Sequence, residues 1–175
     1  MPRTPRPDPS PDGTVVRPAA RDDAGQMAAI YNHYITETVV TFEEAVVSAV
    51  EMARRMAEVR SASLPWLVAL RNGALAGYAY ANKWRERPGY RFAAEVTVYV
   101  SPDRIGQGIG SILYARLLAE LRDAGIRTAI GGIALPNDGS VALHEKFGFK
   151  KVAHFVAPGV KFNRWLDVGY WQRML

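Results

Sequence analysis

Residues 95–120 read EVTVYVSPDRIGQGIGSILYARLLAE, and their order decides the fold. Val96, Val98 and Val100 alternate with Glu95, Thr97 and Tyr99, the two-residue period of a strand. Ser101-Pro102 ends it, because proline has no N–H for a ladder. Ile109, Ile112, Leu113, Leu117 and Leu121 then recur on one face of a helix. Between strand and helix stand Gly106, Gly108 and Gly110. The first turn of a helix has N–H groups with no acceptor and carries the positive end of the macrodipole. Glycine lets that backbone close on a ligand and take positive φ. The stretch therefore predicts a loop that holds the pyrophosphate of a large cofactor.

Two familiar phosphate loops do not fit. A G-x-G-x-x-G fingerprint would need its third glycine where Ser111 stands, and an acid about 20 residues on, where RTAIGG has none. A Walker A loop needs a lysine after the glycines, and none follows. A tight strand-to-helix turn with no ligand is the alternative.

Before this stretch, Thr14–Arg17 predicts a short strand, and Asp22 or Asp23 caps a helix with Met27, Ile30, Tyr31 and Tyr34 in register. The β-branched run ITETVVTF should leave that helix. Ser48 caps a second helix to about Arg60, with Val50, Met52, Ala53, Met56 and Val59 as its stripe. Pro65 introduces the strand WLVAL, Asn72-Gly73 predicts a hairpin, and ALAGYAYANKW is the partner. After the glycine helix, Gly125 is its C-terminal stop. RTAIGGIAL is a strand, Asn137 or Asp138 caps a helix stopped by Gly148, and FKKVAHFV and DVGYWQRML are strands. The order β-αα-ββ-β-α-β-α-β-β predicts an α/β chain with a mixed sheet of six to seven strands and about four helices.

The chain has 175 residues, enough for one domain, assigned to 14–175. Residues 1–13, MPRTPRPDPSPDG, are proline-rich without an apolar pattern and are expected to be a disordered tail. A net charge of +5, with Lys and Arg scattered, suits an anionic small ligand more than nucleic acid. There is no cysteine, so no thiolate nucleophile, disulfide or thiolate metal site, and no metal is expected. No apolar run spans a membrane and no signal-like segment opens the chain, so a cytoplasmic protein is expected.

VTVYV–SPDRIGQGIG–SILYARLLAEL followed by GGIALPNDGSVALHEKFGF resembles the acetyl-coenzyme A site of the GNAT N-acetyltransferase superfamily. IYNHYITET, PWLVAL, GYAYANKW, GIALPN, SVALHEKFGF and GVKFNRWLDVGYWQ resemble its phosphinothricin and methionine sulfone/sulfoximine N-acetyltransferase branch. The resemblance runs from about Val15 to Leu175. It implies the GNAT fold, with a splayed strand pair holding acetyl-CoA, and a homodimer. It also implies transfer of acetyl to the α-amine of a small amino acid analogue. The superfamily motif [Gln/Arg]-x-x-Gly-x-[Gly/Ala] places Ile105 at its polar first position. Arg104, immediately before, is expected to substitute near the phosphates.

Amide formation from a thioester needs a deprotonated amine, orientation and a stabilised oxyanion. With no cysteine, direct attack in a ternary complex is the mechanism expected. Glu95 matches the family's general base; an exposed glutamate on the wet face is the bland alternative. Trp84, Tyr90 and Phe92 are expected to form an apolar wall that raises its pKa. His144 matches a position proposed to protonate the leaving thiolate, against the alternative of a packed helical histidine. The resemblance assigns coenzyme contacts to the backbone of Val98, Tyr99 and Val100, to Arg104 through Ser111 (Ile105, Gly106, Gln107, Gly108, Ile109 and Gly110 between), and to Asn137 and Ser140. Asn137 also reads as a helix cap. For a carboxylate-bearing acceptor, Arg85 and Arg87 supply planar cations. The resemblance implies that Phe42, Tyr90 and Phe92 line the pocket, with core packing the alternative for Phe42. Lys161, with Phe162 and Trp165, is placed in a loop over the acceptor or at a dimer contact. A different acceptor, such as a polyamine, an aminoglycoside or a protein N-terminus, and a non-catalytic acyl-CoA sensor are the competing readings.

Overall fold

The computed structural model describes residues 13–175; the tail expected over 1–13 lies outside them but for Gly13. Seven strands form one sheet in the order β1-β2-β3-β4-β5-β7-β6. They are β1 (Thr14–Pro18), β2 (Trp66–Arg71), β3 (Ala74–Lys83), β4 (Ala93–Val100), β5 (Thr128–Leu135), β6 (Lys150–Lys161) and β7 (Arg164–Met174). The helices are α1 (Ala24–Glu37), α2 (Ala49–Ser61), α3 (Ile109–Asp123) and α4 (Asp138–Lys146). β4 and β5 pair in parallel; the other neighbours are antiparallel.

Local chemistry sets most boundaries. Ser48 Oγ accepts from Glu51 N–H at the start of α2, and Asn137 Oδ1 accepts from Ser140 N–H at the start of α4. Asn72 and Gly73 both take positive φ, the two-residue turn that matches strand twist. In α3, Ile109, Leu113, Leu117 and Leu121 are buried on the sheet, each side chain adding roughly 1.5–3 kcal/mol of burial free energy. α3 and α4 cover one face of the sheet: a Cβ on Gly77 would meet Ile109, and one on Gly131 would meet His144. The other face carries α1, where Tyr31 and Tyr34 pack on Tyr99.

Four details differ from expectation. Asp23 caps no helix through its side chain. It accepts from Arg17 at 2.7 and 2.8 Å and from Ala20 N–H at 2.6 Å, tying β1 to a single 3₁₀ turn before α1. Ile35 and Thr36 stay helical despite β-branching, with α1 running to Glu37, because Ile35 is buried in the core. Val50 is exposed, and Met52, Met56 and Val59 alone bury the stripe of α2. The segment GVKFNRW is the end of the β6–β7 hairpin rather than a loop, turning at Phe162 and Asn163 with positive φ.

Candidate active site

β4 and β5 pair at only three registers, Ala93↔Thr128, Ala94↔Ala129 and Glu95↔Ile130. Beyond Glu95 the strands part. β5 continues along β7, and β4 continues along β3. The gap opens into a cavity of about 560 Å³ lined by Val96–Val100, the glycine loop, Gly132–Ala134 and α4.

At one end of this cavity is the start of α3. Gly106 and Gly108 take φ of 78° and 81°, with open space where a Cβ would stand. Gly108 is the N-cap and gives no side-chain cap, and the first-turn residues Ile109, Gly110 and Ser111, whose N–H groups have no intrahelical acceptor, line the cavity. Arg104, Ile105, Gly106, Gly108, Ile109, Gly110 and Ser111 line it together. Gln107 does not: its amide donates to Asp103 O and accepts from Arg71, away from the opening. Lys146 on α4, a residue the motif gave no reason to select, also lines the cavity and donates to Ser111 Oγ at 3.0 Å. These unpaired donors and two cations fit a pyrophosphate or sugar phosphate.

Farther in, Val98, Tyr99, Val100, Asn137 and Ser140 line the cavity. One main-chain acceptor is already used: Tyr34 O–H donates to Val100 O at 2.6 Å. His144 is buried, and both ring nitrogens are engaged. Nδ1 lies 2.7 Å from Ser140 O, which can only accept, so Nδ1 carries the proton. Burial lowers the His144 pKa, so the neutral ring accepts at Nε2 from Tyr114 O–H at 2.7 Å. In this arrangement His144 presents a cavity wall with no free N–H.

Glu95 stands where the strands part, with its side chain on the α1 face. Among the described residues, no hydrogen bond is made by its carboxylate. Burial raises its pKa, and the Arg85 guanidinium partly offsets the rise. Tyr170 of β7 shares the space beside it: Glu95 Oε1 and Tyr170 Cε1 each lie 3.1 Å from the point a Cβ on Gly132 would occupy. Trp84 meets Tyr170 edge-on at 5.5 Å between centroids. Tyr90 and Phe92, expected as the wall, are each 46% exposed in the loop around Pro88–Tyr90. Tyr170 could have been suspected from Gly132, since a glycine inside a strand marks a close approach.

On the same face, Phe42 lies on Gly159 of β6, where a Cβ would sit 2.8 Å from its ring. Arg85 stacks on Trp84 at 4.1 Å, and Arg87 opens the 3₁₀ turn beside it. Lys161 differs from expectation. The residue is 2% exposed and its ammonium donates to Thr41 O at 2.7 Å, next to Phe42, so it anchors the α1–α2 loop instead of facing a ligand. Tyr31 O–H, bonded to Thr41 and Glu43, and Arg55, bonded to Glu43, hold the same loop.

Among the described residues, no helix is long and apolar enough to cross a membrane, and no group of three or more His, Cys, Asp or Glu is placed to hold a metal ion.

The chain is similar to known proteins over nearly its whole length. It is 40% identical to the phosphinothricin N-acetyltransferase of Alcaligenes faecalis over 91% of this chain and 82% of that one. It is 35% identical to the L-methionine sulfoximine/L-methionine sulfone acetyltransferase of Salmonella typhimurium over 91% and 94%. The crystal structure of a GNAT-superfamily phosphinothricin acetyltransferase from Sinorhizobium meliloti in complex with AcCoA superposes with a TM-score of 0.90 at 37% identity, covering 93% and 88%. The model of the acetyltransferase (GNAT) family matches residues 27–149, from α1 through α4, and with a splayed β4–β5 pair opening on a glycine-led helix, this chain belongs to that family.

Proposed function

We propose that the chain transfers acetyl from acetyl-CoA to the α-amine of a small amino acid analogue of the phosphinothricin, methionine sulfoximine or methionine sulfone kind. The observation that carries this reading is the parting of β4 from β5 at Glu95, which leaves a coenzyme-sized cavity on one face and a half-buried carboxylate on the other. Relatives named for these acceptors, at 35–40% identity, support it.

In this reading the backbone of Gly106–Ser111, with Arg104 and Lys146, holds the coenzyme phosphates, and Val98–Val100 with Asn137 and Ser140 holds its arm. Acetyl-CoA supplies an activated acyl carbon. Glu95 takes a proton from the acceptor ammonium, directly or through water, and its raised pKa keeps it a base of useful strength near neutrality. His144 bounds the acyl end of the cavity; its one proton is on Nδ1, so a proton donated from it requires the bond to Ser140 O to break first. Arg85 and Arg87 meet the acceptor carboxylate, and Phe42, Tyr90 and Phe92 its apolar part. Residues 14–175 act as one domain in the cytoplasm. Exposed Val156, Phe162 and Trp165 on the β6–β7 hairpin support pairing with a second copy, which sedimentation of the wild type and Trp165→Glu would test.

Thiol release from acetyl-CoA across a panel tests the function. The panel holds amino acid analogues, their carboxamides, a polyamine, an aminoglycoside and a peptide with a free N-terminus. Turnover confined to α-amino acids with a free carboxylate is expected. Turnover only with polycations or peptides would move the acceptor class, and coenzyme binding without turnover would leave a sensor.

A further inference from the structure

Gly131 and Gly132 admit side chains into the space beside their own missing Cβ atoms, on opposite faces of β5. The imidazole of His144 takes the space at Gly131. On the opposite face Gly132 admits both the Glu95 carboxylate and the Tyr170 ring. Tyr170 pairs with Gly132 across the β5–β7 ladder, so its position is set by register. Trp84 at 5.5 Å and Phe155 at 5.7 Å meet it edge-on from two sides, closing an aromatic group around the point where β4 leaves β5.

We propose that Tyr170 is a positioning residue for the transfer reaction: its ring, seated on Gly132 and braced by Trp84 and Phe155, shields the Glu95 carboxylate from water and confines it to the acceptor side. This rests on the reading of Glu95 as the base. The ring acts by its bulk. It makes no hydrogen bond to Glu95, so replacing the hydroxyl alone should matter little. Three titratable groups face the carboxylate. Arg85 from the loop after β3 pulls its pKa down, and Tyr80 of β3 and Tyr170 of β7 feel its charge. Asn82, opposite Glu95 in register, is uncharged, and Ile130 and Gly132 of β5 add no charge. Burial is the larger influence on Glu95 and Arg85 the smaller. Loss of the ring therefore hydrates the carboxylate and moves its titration downward.

The test follows Glu95 itself. The full chain is labelled with ¹³C at glutamate carboxyls, the Glu95 resonance is assigned by its loss in Glu95→Gln, and its titration is followed in wild type, Tyr170→Phe and Tyr170→Ala. The expected midpoint lies above the ordinary 4.5 in wild type and Tyr170→Phe, and falls by about one pH unit in Tyr170→Ala. The acid limb of kcat/KM should move with it. Tyr170→Leu serves if the alanine variant fails to fold, with a fall in the same direction. An unmoved midpoint in Tyr170→Ala or Tyr170→Leu overturns the proposal, and so does a fall in Tyr170→Phe equal to that in Tyr170→Ala. A Glu95→Gln enzyme with full turnover would instead overturn the base reading, whatever the titration shows.

Discussion

The imidazole of His144 lies against Gly131 so closely that a Cβ there would overlap Nε2. The ring cannot step aside, because Tyr114 O–H and Ser140 O hold it from both nitrogens. Gly131→Ala should therefore force the ring or α4 to shift, at about 1–3 kcal/mol of overpacking. Gly132→Ala meets Glu95 and Tyr170 only at 3.1 Å, and both are partly exposed and able to give. Denaturant unfolding should show a clear loss for Gly131→Ala and a smaller one for Gly132→Ala, while turnover falls in both. Equal, small losses of stability would mean that α4 rests more loosely on β5 than its contacts imply.

Glu95→Gln should lower turnover about 10²–10⁴-fold at neutral pH with coenzyme affinity kept. The same change has a stability signature with a defined sign. The folded chain raises the Glu95 pKa above 4.5, so it holds this proton more tightly than the unfolded chain does. Stability at this site is fully present below about pH 4.5 and is lost as pH rises through the folded value. Removing the charge removes that loss. Glu95→Gln should thus melt above wild type at pH 7, with the gap closing in acid. A gap that widens in acid would contradict burial as the cause.

Asp23 gives the opposite sign. Hydrogen bonding from Arg17 holds its carboxyl below the usual 3.8 despite burial. Its stabilisation is present above that value and lost as pH falls through the lowered pKa. Asp23→Asn should destabilise the fold at pH 7 by roughly 1–3 kcal/mol and much less in acid below the lowered pKa. Thermal melts at both pH values distinguish this from a pH-independent packing defect.

Elements fixed by neighbouring residues were legible in the chain itself. Ser48 and Asn137 name their own helix starts, Asn72-Gly73 its hairpin, and Gly125 and Gly148 their helix ends, because cap and turn chemistry acts within a few residues. Order alone also carried the mixed sheet. What sequence could not supply was partnership between distant strands. Tyr170 reaches Glu95 only because β7 inserts between β5 and β6, and Tyr114 reaches His144 only because α3 and α4 share a face. Lys161 reads as a loop residue over the acceptor or at a dimer contact, and only the packing of β6 against the α1–α2 loop buries it. The polar Gln107, next to three glycines, reads as a ligand group, yet Arg71 from β2 turns it away.

Arg87 and Lys161, both basic and both assigned to the acceptor from sequence, should now separate. Arg87→Ala should raise KM for carboxylate-bearing acceptors about 10–100-fold, the value of a charged hydrogen-bonded pair, with little change in melting. Lys161→Met leaves the buried Thr41 carbonyl without its donor and should cost about 1–3 kcal/mol of stability. Its effect on KM would come second-hand, through Phe42. Steady-state kinetics beside thermal melts resolve the two. A large KM change in Lys161→Met without loss of stability would return Lys161 to direct acceptor contact.

The glycine loop makes the last contrast. Gly108 takes φ of 81° with nothing within 4 Å of a Cβ, so Gly108→Ala meets no clash and suffers backbone strain alone, about 1–2 kcal/mol. Gly110 is different. It lies inside α3 with helical φ, and its Cβ would make ordinary contacts, 3.4 Å to Leu143 and 3.6 Å to Val100. Alanine is the better helix former by up to about 1 kcal/mol, so Gly110→Ala should fold at least as stably as wild type. That added methyl stands among residues lining the cavity where the coenzyme phosphates are proposed to bind. Gly110→Ala should therefore weaken acetyl-CoA binding in calorimetry while raising or keeping the melting temperature. A stable Gly110→Ala chain that binds acetyl-CoA as tightly as wild type would move the phosphate site off the α3 N-terminus, since the backbone approach that glycine permits would then serve no ligand.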